Sequence, residues 1–219
     1  MLEEGARVMN LLTKGSIKHL THQLKKKPEE HFADISNVIQ LATQKGLQCN
    51  VYLEDWSNGM RNSKEYVLQY LDFLQHQPIK RVLLPDTLGV LIPSETFEYV
   101  SELVNRYPQL HFDFHAHNDY DLSIANVLEA VKAGAHGLHL TVNGMGERVG
   151  NAHRAPTRVV CLQTEVVMAV GRHEGIGQHL DEPLRSESVC QDSPDPLAMG
   201  QPPAAARLRK HRRALVVAA

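Results

Sequence analysis

The sequence H-F-D-F-H-A-H-N-D, from His111 to Asp119, carries the clearest chemical signal in the chain. Side chains of a β-strand alternate between its two faces. One face carries His111, Asp113, His115 and His117, and the other carries Phe112, Phe114 and Ala116. Two imidazoles at positions i and i+2 near a strand end can direct nitrogen atoms at one ion. His115 and His117 are therefore predicted to form half of a divalent-metal site. The alternative is that they are ordinary core or surface histidines.

Apolar segments with strand and helix patterns alternate around this stretch, five times over, about every 30 residues. This alternation predicts βα units and a parallel sheet. Five units could form an open doubly wound sheet or part of a TIM barrel, which needs eight. The strands are expected at 8–12, 48–54, 80–84, 110–117 and 136–142, and the helices at 28–45, from 63, from 93 and at 121–133.

Polar residues follow the expected strands at their carboxyl ends, where parallel α/β proteins build their sites. Glu54 could be a site carboxylate or a solvated strand end, and Thr87 could be a site residue or a turn former. Residues 143–151, N-G-M-G-E-R-V-G-N, could be a flexible loop or one whose glycines let backbone approach a ligand. This loop lacks the G-K-[ST] of a P-loop. Asn151 at its end offers an amide oxygen.

Overall composition narrows the function classes. A formal net charge of −2 gives no electrostatic case for binding nucleic acid or an anionic membrane. No apolar run approaches the roughly 20 residues of a membrane span, and the N-terminus does not read as a signal peptide. Cys49, Cys161 and Cys190 are odd in number, widely spaced and without a CxxC pair. This usage predicts a cytoplasmic protein without a disulfide framework.

Composition also changes at about residue 152. The one Trp, six Tyr and five Phe all precede it, whereas eight arginines and six prolines follow it. A segment of this composition has little with which to build a core. We therefore expect residues 1–152 to form the folded domain and residues 153–219 to form a divergent tail of low order, with a helix around 159–170. A frameshifted or fused reading frame is the hypothesis for its origin.

Three motifs in this order and spacing resemble one enzyme family: D-T-L-G at 86–89, H-A-H-N-D at 115–119 and N-G-M-G-E-R-V-G-N-A at 143–152. The family comprises metal-dependent TIM-barrel enzymes that condense or cleave acyl-CoA esters. Its members include 2-isopropylmalate, homocitrate and citramalate synthases and hydroxymethylglutaryl-CoA lyase. Residues 14–21 and 50–63 look most like the 2-isopropylmalate synthase branch, and the resemblance covers about residues 5–152.

The resemblance implies a partial (β/α)8 barrel made of strands four to eight, an N-terminal truncation that leaves out the family's Arg-Asp strand, and a possible homodimer. It implies metal-assisted Claisen condensation of acetyl-CoA with a 2-oxo acid, here 3-methyl-2-oxobutanoate, in leucine biosynthesis. The divalent ion would be Mn, Mg or Zn. The implied site residues are the metal ligands His115, His117 and Asn151, the substrate-binding residues Thr87 and Asn118, and the catalytic Glu54.

Several alternatives remain open at this point. A homocitrate or citramalate synthase, or a lyase that runs the carbon–carbon chemistry in reverse, fits the same motifs. A non-catalytic fragment that binds metal weakly is the alternative from another class, because the family's first-strand aspartate ligand has no counterpart in this sequence. A five-stranded arc would also expose sheet edges, so the chain is expected to associate when expressed alone.

Overall fold

A computed structural model describes residues 6–155, 157, 168–170 and 214–218 of the chain, all within one compact unit. Its centre is a parallel sheet in the order β1-β2-β3-β4-β5-β7-β6. The first five strands confirm the predicted βα units. The strands are β1 Val8–Lys14, β2 Gln48–Glu54, β3 Arg81–Asp86, β4 Phe112–Ala116, β5 Gly137–Leu140, β6 Met168–Val170 and β7 Ala214–Ala218.

Helices connect successive strands, as in βα units of a barrel. A short helix, α1, continues into a π-helical turn at Leu20–Leu24, which the sequence pattern did not predict. The α-helices are α1 Ile17–His19, α2 Pro28–Gln44, α3 Trp56–Asn62, α4 Lys64–Leu74, α5 Pro93–Arg106 and α6 Ser123–Lys132. In the part of the chain described, no helix is long and apolar enough to cross a membrane.

Strands β2 and β4 follow the predicted alternation of faces. Phe112, Phe114 and Ala116 of β4 are fully buried on the helix side of the sheet, whereas Asp113 and His115 occupy the opposite face. The same holds along β2, where Cys49, Val51 and Leu53 are fully buried and Asn50, Tyr52 and Glu54 are half-buried. In a barrel this second face is the interior, so the polar residues of both strands line the inside.

Helix α3 begins within D-W-S-N-G, residues 55–59, a stretch rich in turn-forming residues. Trp56 and Met60, four residues apart, are both buried on one face of this helix, and Trp56 packs edge-on against Phe114. Gly59 serves close packing and not a turn: a Cβ atom there would lie 2.1 Å from the carbonyl oxygen of Gly15. Burial of a large aromatic side chain therefore outweighs the turn propensity of the local sequence.

Little of the expected tail lies within the described residues. Met168–Val170 forms a strand, which contradicts the end of the helix expected at 159–170; residues 159–167 lie outside the described part. The boundary at residue 152 stays a prediction. So does association of the chain, although β1 has nothing paired on its outer side in the described residues and exposes 63% of Leu12.

His31 of α2 makes stability sensitive to pH. It is buried beside Tyr70, and its Nε2 accepts a hydrogen bond from the backbone N–H of Lys14 at 3.3 Å. Burial, and then the charge of Lys26, lower the pKa of His31 to about 4. Between pH 6.5 and 4, His31 is therefore protonated in the unfolded chain but stays neutral in the folded chain. The contribution of His31 to the free energy of unfolding is therefore fully present above pH 6.5 and is lost as the pH falls towards 4.

The His31→Gln variant keeps a side-chain acceptor and removes this titration. From pH 7 to pH 5, the wild type is expected to lose about 2 kcal/mol more unfolding free energy than the variant. Urea unfolding of both proteins at the two pH values measures the difference. Equal losses would contradict the assignment to His31.

Candidate metal centre

The two histidines of β4 and its following loop meet at the carboxyl end of the sheet. Their Nε2 atoms lie 3.3 Å apart, with the rings nearly perpendicular. Two nitrogen atoms that ligate one tetrahedral Zn²⁺ at 2.0–2.1 Å would lie about 3.3 Å apart. The observed separation of the two nitrogens therefore equals that of two ligands sharing one ion, as the i and i+2 spacing predicts.

Both imidazoles are held in the neutral form that can ligate a metal. Burial, followed by the neighbouring His117 and His139, lowers the pKa of His115 to about 3. Burial and the positive charge of Arg148 lower the pKa of His117 as well. Neutral imidazole offers a lone pair, whereas imidazolium does not. At neutral pH the pair is therefore ready to bind a cation without first losing protons.

Unsatisfied polar atoms also surround this pair. The Nδ1 atoms of His115 and His117 and the Oδ1 atom of Asn151 are buried without a hydrogen-bond partner in the described residues. Such atoms are uncommon in folded proteins and call for a ligand, ion or water. Among the described side chains, no three His, Cys, Asp or Glu residues are grouped to hold a metal. The two histidines fit a divalent ion, and the amide of Asn151 is the candidate third donor.

The glycine-rich loop brings Asn151 to the histidines through backbone contacts. Asn151 forms an antiparallel bridge with His117, and the N–H of Ala152 donates to the carbonyl of Ala116 at 3.0 Å. Gly146 leaves room for the amide, because a Cβ atom there would lie 2.6–2.9 Å from the Asn151 side chain. Glycine in this loop thus permits close approach of the proposed ligand. Ligation by Asn151 stays a prediction.

Arg148 joins three loops at this end of the sheet, and sequence reasoning missed it. Its Nε and Nη2 atoms donate to the two carboxylate oxygens of Asp119 at 2.7 and 2.8 Å. Nη2 also donates to the carbonyl oxygen of Thr87 at 2.8 Å. The bidentate pair therefore ties the glycine-rich loop to the loops after β3 and β4. Arg148 and Asp119 are 29 residues apart in the sequence. Only the position of each in a polar loop at a strand end indicated that they could meet.

The other expected site residues lie at the same end of the sheet in different settings. Glu54 pairs with Lys14 of the neighbouring strand. Thr87 accepts a hydrogen bond at Oγ1 from the backbone N–H of Asp55. The Asn118 side chain contacts Ser123 and Asp121 at the start of α6. Contact of these residues with substrate stays a prediction, and Asn118 is the most engaged of them in local structure.

A buried polar network fills the barrel interior beside the histidine pair. Asp113, fully buried, accepts from Arg81 Nη1 at 2.9 Å and contacts His139 Nε2 at 3.3 Å. His139 Nδ1 in turn lies 3.1 Å from the Tyr52 hydroxyl. Burial alone would raise the pKa of Asp113, but its contacts with His111, His139 and Arg81 prevail and hold it far below the usual range. Side chains of β3, β4 and β5 therefore meet at one ionised carboxylate, and Tyr52 of β2 joins them through His139, a link that sequence spacing did not reveal.

Several known proteins are similar to this chain. The HMGL-like family model matches residues 2–180, which extends past residue 152, where the resemblance was expected to end. Homocitrate synthase of Saccharolobus solfataricus is 37% identical over 158 residues, which is 72% of this chain and 32% of the relative. The homocitrate synthase of Sulfolobus acidocaldarius is 38% identical over 132 residues, 60% of this chain and 27% of that protein. The chain thus spans about a third of the length of these curated relatives.

Solved structures agree on the fold. The hydroxymethylglutaryl-CoA lyase of Pseudomonas aeruginosa superposes with a TM-score of 0.66 and 18% sequence identity, over 75% of this chain and 58% of that one. At this identity the likeness concerns the fold alone. It confirms the predicted partial TIM-barrel architecture.

Proposed function

The chain belongs to the HMGL-like family, and we propose that it takes part in a divalent-metal-dependent condensation of acetyl-CoA with a 2-oxo acid. The observation that carries the proposal is the pair of neutral imidazoles whose Nε2 atoms lie 3.3 Å apart at the carboxyl end of the sheet. The buried Oδ1 atom of Asn151, which has no hydrogen-bond partner in the described residues and follows a backbone bridge to His117, supports an oxygen donor beside the pair. Imidazole with added oxygen donors suits Mn, Zn or Mg.

Different residues of the chain would bind the metal ion, bind the substrate and act as the catalytic group in such a site. His115 and His117 would hold the ion, with the Asn151 amide as an oxygen donor. A divalent ion bound there supplies Lewis acidity toward the ketone and carboxylate oxygens of a 2-oxo acid. Thr87 offers its hydroxyl to the substrate, and Glu54 is the proposed catalytic carboxylate. The Arg148–Asp119 pair holds the surrounding loops together, so that these groups keep their relative positions.

Two 2-oxo acids are candidates as the acceptor of the acetyl group. The motif pattern favours 3-methyl-2-oxobutanoate, as in a 2-isopropylmalate synthase of leucine biosynthesis. The identity to homocitrate synthases favours the acid obtained by removing an acetyl unit from homocitrate, which is 2-oxoglutarate. We propose that the substrates are small molecules in a cytoplasmic setting, with a homodimer as the assembly. The three cysteines, odd in number and widely spaced, support this setting.

Release of CoA thiol tests the proposal. The full chain is incubated with acetyl-CoA, Mn²⁺ and either 3-methyl-2-oxobutanoate or 2-oxoglutarate, and free thiol is followed spectroscopically. Condensation predicts thiol release with one acid well above the other. The His117→Ala variant is expected to fall at least about 100-fold, to the metal-free background.

The other outcomes of the assay separate the alternatives. Cleavage of hydroxymethylglutaryl-CoA without thiol release from acetyl-CoA would favour the lyase. No turnover in any mixture, by a chain that still binds Mn²⁺, would overturn the proposed activity and leave a non-catalytic metal-binding fragment.

A further inference from the structure

Asp55 holds an unusual backbone conformation between β2 and α3. Its φ of 65° and ψ of 27° lie in the left-handed region, and only 1% of the residue is exposed. This conformation is unfavourable for a residue with a Cβ atom, although Asp and Asn tolerate it better than most others. A buried, strained residue between two elements persists only where its surroundings hold it. The side-chain contacts of Asp55 explain how this backbone conformation is maintained.

The Asp55 carboxylate is anchored by side chains of the loop after β1 and of α3. Ser16 Oγ donates to its Oδ2 atom at 2.7 Å, and Asn58 Nδ2 donates to Oδ1 at 2.7 Å. His19 Nε2 lies 3.5 Å from Oδ2. An aspartate before a helix usually caps the helix by accepting from its first N–H groups. Asp55 makes no side-chain bond to the backbone of α3. Its carboxylate instead ties the Asn58 side chain of α3 to Ser16 in the loop after β1.

This anchoring fixes the direction of one backbone N–H. The N–H of Asp55 donates to Thr87 Oγ1 at 2.8 Å. A threonine hydroxyl that accepts one hydrogen bond keeps its own proton to donate elsewhere. Thr87 is half-buried in the loop after β3, at the same end of the sheet as His115 and His117. The accepted bond leaves the hydroxyl hydrogen free to point away from Asp55.

We propose that Asp55 is a positioning residue, which holds the Thr87 hydroxyl as a hydrogen-bond donor toward a carboxylate oxygen of the 2-oxo acid. The inference rests on the proposed function, because it needs a 2-oxo acid at this end of the sheet. Asp55 acts through Thr87 and does not itself touch the substrate. A negative carboxylate already satisfied by Ser16 and Asn58 is a poor direct partner for an anionic acid, and this agrees with an indirect role.

A double-mutant cycle on the full chain tests the coupling between these two residues. Calorimetry measures binding of 3-methyl-2-oxobutanoate and of 2-oxoglutarate in the presence of Mn²⁺. Thr87→Val removes the hydroxyl at nearly constant volume and is expected to weaken binding about tenfold. Asp55→Gly keeps the left-handed backbone but loses the anchor, and about the same loss is expected. The double variant should bind no more weakly than Thr87→Val alone.

Controls keep the test decisive. Lys25→Gly relieves another left-handed residue, φ 55°, which is exposed, and it should leave binding unchanged. Asp55→Asn, which tolerates the same backbone, replaces Asp55→Gly if the glycine variant fails to fold. Mn²⁺ affinity, measured separately, should be the same in all these variants.

The outcomes distinguish the two levels of the proposal. If Asp55→Gly weakens binding equally with and without the Thr87 hydroxyl, Asp55 is merely structural and the inference is overturned while the proposed function stands. If Thr87→Val binds as the wild type does, Thr87 is no donor and the inference falls with it. If the wild type loaded with Mn²⁺ binds neither acid, both the proposed function and the inference fail.

Discussion

The His117→Ala variant is expected to lose Mn²⁺ or Zn²⁺ binding by more than about 100-fold. Loss of an outer partner of a metal ligand already costs 10–100-fold in affinity, and loss of a ligand costs more. The reason is specific to this site: the two Nε2 atoms lie 3.3 Å apart, which is the separation of two ligands that share one ion. Removing one leaves a single imidazole. Isothermal titration of the wild type and the variant at pH 7 measures the change.

The matched control for this variant is His76→Ala, which removes an exposed histidine after α4 and should titrate as the wild type does. Both proteins should unfold at similar urea concentrations, because a half-buried histidine without partners at Nδ1 contributes little packing. Equal heats for wild type and His117→Ala would remove the metal site from this protein. His115→Ala is expected to behave as His117→Ala does, which separates a shared ion from one bound by His117 alone.

Local periodicity accounts for the part of the structure that the sequence predicted. The period of two along β4 predicted that Asp113 and His115 share one face of the strand, because strand geometry depends only on neighbouring residues. The bounds of β2 and the starts of α2 and α5 at proline were predictable for the same reason. The histidine pair followed from spacing alone. Each of these features involves residues fewer than four positions apart or a repeating pattern.

Contacts between distant residues account for what the sequence did not predict. Tyr52 and His139 are 87 positions apart, and nothing in either local stretch marks them as partners. The left-handed turn at Asp55 is held by Ser16, which lies 39 positions earlier. Helix α3 forms where turn-forming residues predominate, because tertiary burial of Trp56 decides between two locally acceptable conformations. The conformation of such a segment depends on contacts with the assembled sheet, which local sequence patterns do not show.

The Asp113→Ala variant is expected to lose about 3–5 kcal/mol of unfolding free energy at pH 7, the usual cost of breaking a buried ion pair from one side. Asp113 is fully buried, and its removal leaves Arg81 and His139 without their shared acceptor. Its lowered pKa keeps the carboxylate ionised at pH 7, and the stabilisation is present above the unfolded pKa and lost only in strong acid. Urea unfolding measures the loss.

The two controls for Asp113→Ala separate charge burial from the simple loss of a carboxylate. Asp119→Ala breaks the more exposed pair with Arg148 and is expected to cost less than about 1 kcal/mol, because water screens such pairs. Adding Arg81→Met to Asp113→Ala should recover part of the loss, since the unpaired guanidinium disappears with its partner. If Asp113→Ala destabilises the chain no more than Asp119→Ala does, the interior carboxylate is solvated and does not hold β3, β4 and β5 together. The ordering of the three variants therefore measures how much of the barrel interior depends on one charge.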